Sequence, residues 1–455
     1  MEKASTAFSA SIFTAIFLLV STLYTQGVEG SIIGVNYGTV ANNLPPPEQV
    51  ARFLSESTII SSVRLFDTNA DILRAFAHTG IAVTVTATND QIPNLTRIEF
   101  AQEWLKFNVR PYIPATNIVR IFVGNEVIST ANKLLIASLV PAMETLHTAL
   151  VGASLDRRIK ISTPHSLGIL SGSSPPSTGK FRQGYDTHVL KPLLSFLRDT
   201  NSPFMINPYP FFGSSPENLD YALFRPSSAG VVVDENTRLS YTNMLDAQLD
   251  SVFSAMNLLG FGDVEIVISE TGWPSLGDSS QAGVDAESAA QYNRNLMQHV
   301  TSGAGTPLMP NRTFETYIFA LFNEDLKPGP TCERNFGLFR PDMTPVYDIG
   351  ILRSTVASAS KFHHAAYFSG HEEGLKEKGG AVVKQEQMWR LYRKTLIMCF
   401  GLEIQYCTPI QECGECFLPM AMEIASIDQD IGACSGLFAM KKRTGSEYEL
   451  LFADL

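Results

Sequence analysis

Cysteine is missing from the first 331 residues of this 455-residue chain. Cys332 is the first, and Cys399, Cys407, Cys413, Cys416 and Cys434 follow it near the C-terminus. A disulfide framework therefore does not hold the main body together, and a hydrophobic core must do so. Charge is also sparse, at 17% of residues, and leans acidic, with a net charge of −11. That balance repels nucleic-acid phosphates, so no nucleic-acid partner is expected. A phosphate loop is absent too: Gly34-Val-Asn-Tyr-Gly38 lacks the spacing of a dinucleotide fingerprint, so neither a doubly wound fold nor a nucleotide cofactor is expected. Cys413-Gly-Glu-Cys416 is half of a zinc signature without a second pair, and no metal site or other cofactor is expected. The final Tyr448-Glu-Leu-Leu-Phe-Ala-Asp-Leu455 is too short and polar for a lipid-anchor signal, so membrane association through the tail is not expected.

A long apolar run opens the chain. Lys3, the stretch 7–24 and the small-residue site Val28-Glu-Gly30 read as a secretory signal over 1–30, which places the mature protein outside the cell. A retained transmembrane anchor is the alternative, since the run is nearly long enough to span a bilayer. Sequons at Asn94-Leu-Thr96 and Asn311-Arg-Thr313 fit a secreted glycoprotein.

From residue 31 onward, short apolar runs alternate with amphipathic stretches. Strands are expected at 32–36, 62–66, 81–85, 118–123, 159–162, 204–207, 264–269 and 316–322. Most are rich in β-branched residues and apolar on both faces, as strands of a covered parallel sheet must be. Helical patterns lie between them at 47–54, 72–77, 100–107, 133–150, 188–197, 243–259 and 286–300. Eight strand–helix repeats predict an α/β fold, a (β/α)8 TIM barrel over 31–357. An atypical cysteine-containing tail, 358–455, follows, and its composition leaves its order open. A monomer is expected.

Two strands end on glutamate. Glu126 closes Ile118-Val-Arg-Ile-Phe-Val-Gly-Asn-Glu126, and Glu270 closes Val264-Glu-Ile-Val-Ile-Ser-Glu270. In a barrel these are the fourth and seventh strands, on opposite sides of the ring, with their C-terminal ends at the catalytic rim. Two carboxyl groups facing each other there can cleave a glycosidic bond, one protonating the leaving oxygen while the other attacks the sugar. The bland alternative is a pair of surface glutamates at strand ends. Tyr37, Tyr209, Phe211, Phe212, Phe322 and Phe339 also fall at or after strand ends, where rings can pack on the C–H faces of sugars. Trp273 either lines such a site or wedges the Glu270 loop. His165, after the fifth strand, reads as a hydrogen-bonded structural histidine.

Together, Gly34-Val-Asn-Tyr-Gly38, Val123-Gly-Asn-Glu126, Asn207-Pro-Tyr-Pro210, Ser269-Glu-Thr-Gly-Trp-Pro-Ser275, Phe322-Asn-Glu-Asp-Leu-Lys327 and Glu333-Arg-Asn-Phe-Gly-Leu-Phe339 resemble glycoside hydrolase family 17, the plant endo-β-1,3-glucanases. The motifs run in order over 31–357. The resemblance implies retaining hydrolysis of β-1,3-glucan, with Glu270 as nucleophile and Glu126 as acid and then base. It further implies auxiliary roles for Glu324 and Lys327, and substrate contacts for Asn125, Tyr37, Tyr209, Phe212 and Phe339. Phe66 departs from it, standing where many relatives carry Tyr, and Cys332 occupies a place usually taken by a small polar residue. Two other readings stay open: a barrel of different linkage preference or transglycosylating activity, and a catalytically silent glucan-binding wall protein, which would be expected to lack the acid or the nucleophile.

Overall fold

Eight apolar segments pair side by side in parallel and close into a ring. The computed structural model describes residues 33–226, 231–279 and 281–353, with the backbone of 437–444 and 447–454. The strands are β1 (Ile33–Tyr37), β2 (Ser62–Leu65), β3 (Ala82–Ala87), β4 (Asn117–Val123), β5 in two halves (Lys160–Ser162 and Pro164–Ser166), β6 (Phe204–Asn207), β7 (Ile266–Thr271) and β8 (Thr316–Ile318). All eight expected strands are present. The first half of β5 pairs with β4 (Arg120 opposite Lys160) and the second half with β6 (His165 opposite Ile206), so the broken strand closes the barrel. Pro164, which lacks the N–H an unbroken ladder would use, opens the second half.

The longer described helices between the strands are α1 (Pro47–Ser57), α2 (Ala70–Ala75), α3 (Ile98–Asn108), α4 (Lys133–Gly152), α5 (Lys191–Asp199), α6 (Met244–Leu258) and α7 (Ala286–Thr301). Four have side-chain N-caps that satisfy orphan backbone donors. Asn69 accepts from the amides of Asp71 and Ile72, Asn132 from Leu134 and Leu135, Asn243 from Asp246, and Asp285 from Ser288. The stretch expected as one helix at 188–197 begins instead as a π-helical turn, Asp186–Leu190, before α5. Pro192 has no N–H to bond back to His188, so a regular α ladder cannot run through this point. The run expected as a strand to Phe322 is a strand only to Ile318. Beyond it the backbone still bonds to its neighbours, but irregularly: Phe319 N–H donates to Thr271, Ala320 to Phe336 and Leu321 to Asn36.

Side chains alternate along each strand, so residues two apart point into the barrel at successive heights. At the lower end Arg120 pairs with Glu315 at 2.9 Å, and the Tyr317 hydroxyl donates to Glu315 at 2.7 Å. Two residues further along β4 and β8, Phe122 and Tyr317 join Met205 and Val267 in a buried apolar plug. The next step up β6 and β7 reaches Asn207 and Ser269, both buried, beside buried Asn36 and Arg64. The ring is therefore sealed below and polar above, and the polar layer lies at the C-terminal strand ends. The larger apolar core fills the space between strands and helices.

The chain divides into two compact units, Met1–Gly370 and His371–Leu455. In the second, Leu437–Thr444 and Glu447–Asp454 form an antiparallel hairpin with Leu437 opposite Asp454. The signal expected at 1–30, the boundary expected at 357 and the tail cysteines lie outside the described residues. Cys332 is described: its thiol is free, buried and accepts from Gln281 Nε2 at 3.4 Å. The asparagines of both sequons, Asn94 and Asn311, are exposed.

Candidate active site

The chain turns sharply after β4. Gly124 and Glu126 both take left-handed backbone, with φ of 72° and 50°. At Gly124 a Cβ would come within 2.6 Å of Asn89 Oδ1, so only glycine fits. At Glu126 the same region costs a non-glycine residue on the order of 1–3 kcal/mol, which the surroundings must offset. They do so through three hydrogen bonds. Asn125 N–H donates to Asn89 Oδ1 at 2.8 Å, Asn89 Nδ2 donates back to Asn125 O at 3.1 Å, and Glu126 N–H donates to Pro164 O at 3.0 Å. Asn89 itself begins a short 3-10 turn fixed by a capping box between Thr88 and Gln91. Replacing Asn89 with Ala removes both side-chain bonds to the loop. The expected result is a kcat on glucan lowered roughly ten- to a hundredfold, the scale of a slightly misplaced catalytic group, measured as initial rates beside a thermal melt. Wild-type kcat in this variant would show that the loop holds itself.

The Glu126 side chain is half-buried and accepts from Asn207 Nδ2 at 2.8 Å. Burial, and after it the charge of Glu270, push its carboxyl above the usual carboxylate range. The Asn207 hydrogen bond, Arg64 and Lys327 pull the other way. Glu126 is thus suited to hold a proton.

Glu270, at 7% exposure, has a different setting. Its Oε1 is paired with Arg64 Nη1, and its Oε2 accepts from the Tyr209 hydroxyl at 3.0 Å. Burial, and then Glu270's charge, push the Tyr209 phenol well above its ordinary range, so it remains a donor. Arg64 is fully buried on β2, directly opposite Asn36 of β1. Its Nη2 donates to Asn125 Oδ1 at 2.7 Å, and its guanidinium lies 4.3 Å above the centre of the Phe66 ring and 5.1 Å from that of Phe122. One planar cation therefore fixes both Glu270 and the residue before Glu126.

Both carboxyl groups open on one cleft of about 470 Å³, with Asn125, Tyr209, Phe212, Glu324 and Lys327 also in its wall. Glu324 Oε1 accepts from Val40 N–H at 3.0 Å and lies against Gly38, where a Cβ would come within 2.3 Å of it. It anchors the loop after β1. Lys327 Nζ lies 3.4 Å from Glu333 Oε2 and 4.2 Å over the Phe319 ring, so it acts on Glu126 through its charge rather than by direct contact.

Two expected substrate contacts do not reach the cleft. Tyr37 is 2% exposed and packs edge-on against Phe322, with its phenol pushed up to about 12 by burial. Asn36 occupies the inward position on β1, so alternation turns Tyr37 outward toward the helices. Phe339 is 1% exposed and packs 4.9 Å from Phe53 of α1. Both are core residues. Phe211 and Phe322 are buried as well, whereas Phe212 is exposed in the cleft wall. Trp273 is fully buried, donates to Gly283 O at 2.7 Å and packs on Phe211 and Tyr292, so it wedges the Glu270 loop. His165 does not make the expected hydrogen bonds. Its ring stacks on Phe204 without a polar partner, and burial lowers its pKa to about 3, which keeps it neutral.

The cleft also holds Phe66, the departure from the family pattern noted in the sequence, and two residues that sequence reasoning assigned no role, Phe319 and Phe336. The three extend its aromatic wall, with Tyr209 6.0 Å from Phe336 and Phe319 5.4 Å from it. Arg64 had a signal: a charge inside an otherwise apolar strand must find an acid. Asn89 had none, since its role depends on a contact 36 residues away.

The sequence profile of the glycosyl hydrolases family 17 matches residues 33–351. A glucan endo-1,3-beta-glucosidase of Triticum aestivum is 44% identical over 398 residues, which cover 86% of this chain and 85% of that one. Glucan endo-1,3-beta-glucosidase 7 of Arabidopsis thaliana is 42% identical over 418 residues, covering 91% and 80%. Among solved structures, CJP38, a beta-1,3-glucanase and allergen of Cryptomeria japonica pollen, superposes with a TM-score of 0.66 at 45% identity, covering 70% of this chain and 98% of its own.

Proposed function

Starting from the fact that the chain belongs to glycosyl hydrolase family 17, we propose that the cleft carries out retaining endo-hydrolysis of cell-wall β-1,3-glucan, with Glu126 as acid and base and Glu270 as nucleophile. The protein is a glycoside hydrolase that cleaves β-1,3-glucosidic linkages. The observation that carries the assignment of roles is the contrast between two carboxyl groups in one cleft. Glu126 is held above the usual carboxylate range, while Glu270 is paired with a buried arginine.

In the first step Glu126 gives its proton to the glycosidic oxygen as Glu270 attacks the anomeric carbon, and the C–O bond to the leaving chain breaks. Tyr209 holds the attacking carboxylate by its second oxygen. In the second step Glu126, now ionised, takes a proton from water, which displaces Glu270 from the sugar. Two inversions leave the β configuration unchanged. With its Oδ1 engaged by Arg64, Asn125 offers its Nδ2 as the donor to the sugar 2-hydroxyl. Phe212, Tyr209 and the cleft phenylalanines offer faces for sugar C–H groups. Secretion to the cell wall or apoplast fits the leader read from the sequence and the two exposed sequons.

Reducing-end release from a linear β-1,3-glucan, followed by proton NMR during the first minutes, tests this reading. New chain ends should appear first as the β anomer. First appearance of the α anomer would make the enzyme inverting. A folded protein that binds glucan and releases nothing would leave the wall-binding alternative.

A further inference from the structure

One buried polar chain joins the nucleophile's strand to the acid. The Ser269 hydroxyl, on the residue immediately before Glu270, donates to Asn207 Oδ1 at 2.6 Å. Asn207 Nδ2 in turn donates to Glu126 Oε1 at 2.8 Å. Ser269 is fully buried and Asn207 is 2% exposed. Neither lines the cleft. Ser269 is itself anchored: its carbonyl accepts from Asn36 Nδ2 at 3.0 Å.

We propose that Ser269 and Asn207 are positioning residues that let Glu126 change from acid to base between the two steps, Asn207 by donating to the ionised carboxylate and Ser269 by fixing which end of the amide faces it. This rests on the assignment of Glu126 as acid and base. An Asn amide has a donor end and an acceptor end. With Oδ1 occupied by the serine hydroxyl, only the donor end is presented to Glu126. A hydrogen bond donated to a carboxylate favours its charged form.

The charged groups that bear on Glu126 are Glu270 from β7, Arg64 from β2, Lys327 from the loop after β8 and the Tyr209 phenol after β6. In the free enzyme Glu270's charge opposes ionisation of Glu126. Once Glu270 is esterified to the sugar that charge is gone, while Asn207, Arg64 and Lys327 remain. Glu126 then ionises as the second step requires.

The sign is fixed by the geometry. Removing the Asn207 donor makes Glu126 hold its proton to higher pH. The first step needs Glu126 protonated, so the alkaline limb of kcat/KM on glucan moves up. The second needs it ionised, so the acid limb of kcat on an activated aryl β-1,3-glucan oligosaccharide, where deglycosylation is slow, moves up as well. Asn207→Ala should shift both limbs upward by about one pH unit, the displacement that one charge-assisted hydrogen bond supports. Ser269→Ala should shift them in the same direction by less.

The experiment is a pair of pH–rate profiles for wild type, Asn207→Ala and Ser269→Ala, with thermal melts, beside Glu126→Gln. Parallel upward shifts support the proposal. Lower rates with unmoved limbs in folded variants overturn it and leave Asn207 as packing. If Asn207→Ala does not fold, the Ser269→Ala profile alone decides. Full hydrolysis by Glu126→Gln would instead overturn the assignment of the acid itself.

Discussion

Glu270→Ala is expected to stop glucan hydrolysis, and azide is expected to restore cleavage of an activated aryl β-1,3-glucan oligosaccharide, yielding an α-glycosyl azide. Removing the nucleophile leaves the anomeric carbon without its attacking oxygen. It also leaves a small gap beside Arg64 and the Tyr209 hydroxyl, the two groups that hold the carboxylate in wild type. A small anion fits that charge. It attacks from the same face as Glu270, so a single inversion gives the α product, and the aryl group leaves without needing an acid. Glu126→Ala should behave differently. Its loss on glucan should be about 10²–10⁴-fold, the usual worth of a general acid, and much less on the aryl substrate. Azide should then intercept the glycosyl-enzyme and give the β product. The anomer of each azide, read by NMR, thus assigns the roles separately. A β-azide from Glu270→Ala would sink the assignment of Glu270.

The residues most open to sequence reading are those whose environment is local. The eight strands were legible because each is buried on both faces and so appears as a short apolar run. Glu126 and Glu270 were legible because a carboxylate closing such a run stands at a barrel rim. Tyr37 and Phe339 were misplaced for opposite reasons. Tyr37 lies on a regular strand, and the inward position of Asn36 already implies that its ring turns outward. Phe339 lies beyond any periodic element, and only its contact with Phe53 of α1 shows it to be core. The positioning shell was hidden by distance. Asn89 meets Asn125 across 36 residues, Arg64 meets Glu270 across 206, and Asn207 meets Glu126 across 81. Such pairs follow from barrel closure, which brings strand ends together irrespective of their spacing along the chain.

Arg64→Met should destabilise the fold by about 3–5 kcal/mol, because it leaves Glu270 buried without its counter-charge. The change preserves much of the apolar bulk over Phe66 and Phe122, so a mere packing role predicts a smaller loss. The decisive comparison is the double variant Arg64→Met/Glu270→Gln, followed by urea denaturation. If the cost is electrostatic, neutralising the stranded carboxylate recovers most of it, and the two substitutions couple strongly. Additive losses would show that the pair contributes no coupling and that Arg64 acts by filling space. Arg64→Lys should rescue poorly. A single ammonium cannot reproduce the planar fork that reaches Glu270 with one nitrogen and Asn125 with the other. Turnover should be lost in Arg64→Met and Arg64→Lys alike, in protein that is still folded, since the same fork sets the nucleophile and the residue beside the acid. The double variant reports stability alone, because it also lacks the nucleophile. Loss of turnover in folded Arg64→Lys is expected when a buried charge is retained to place a reacting group rather than to hold the barrel together.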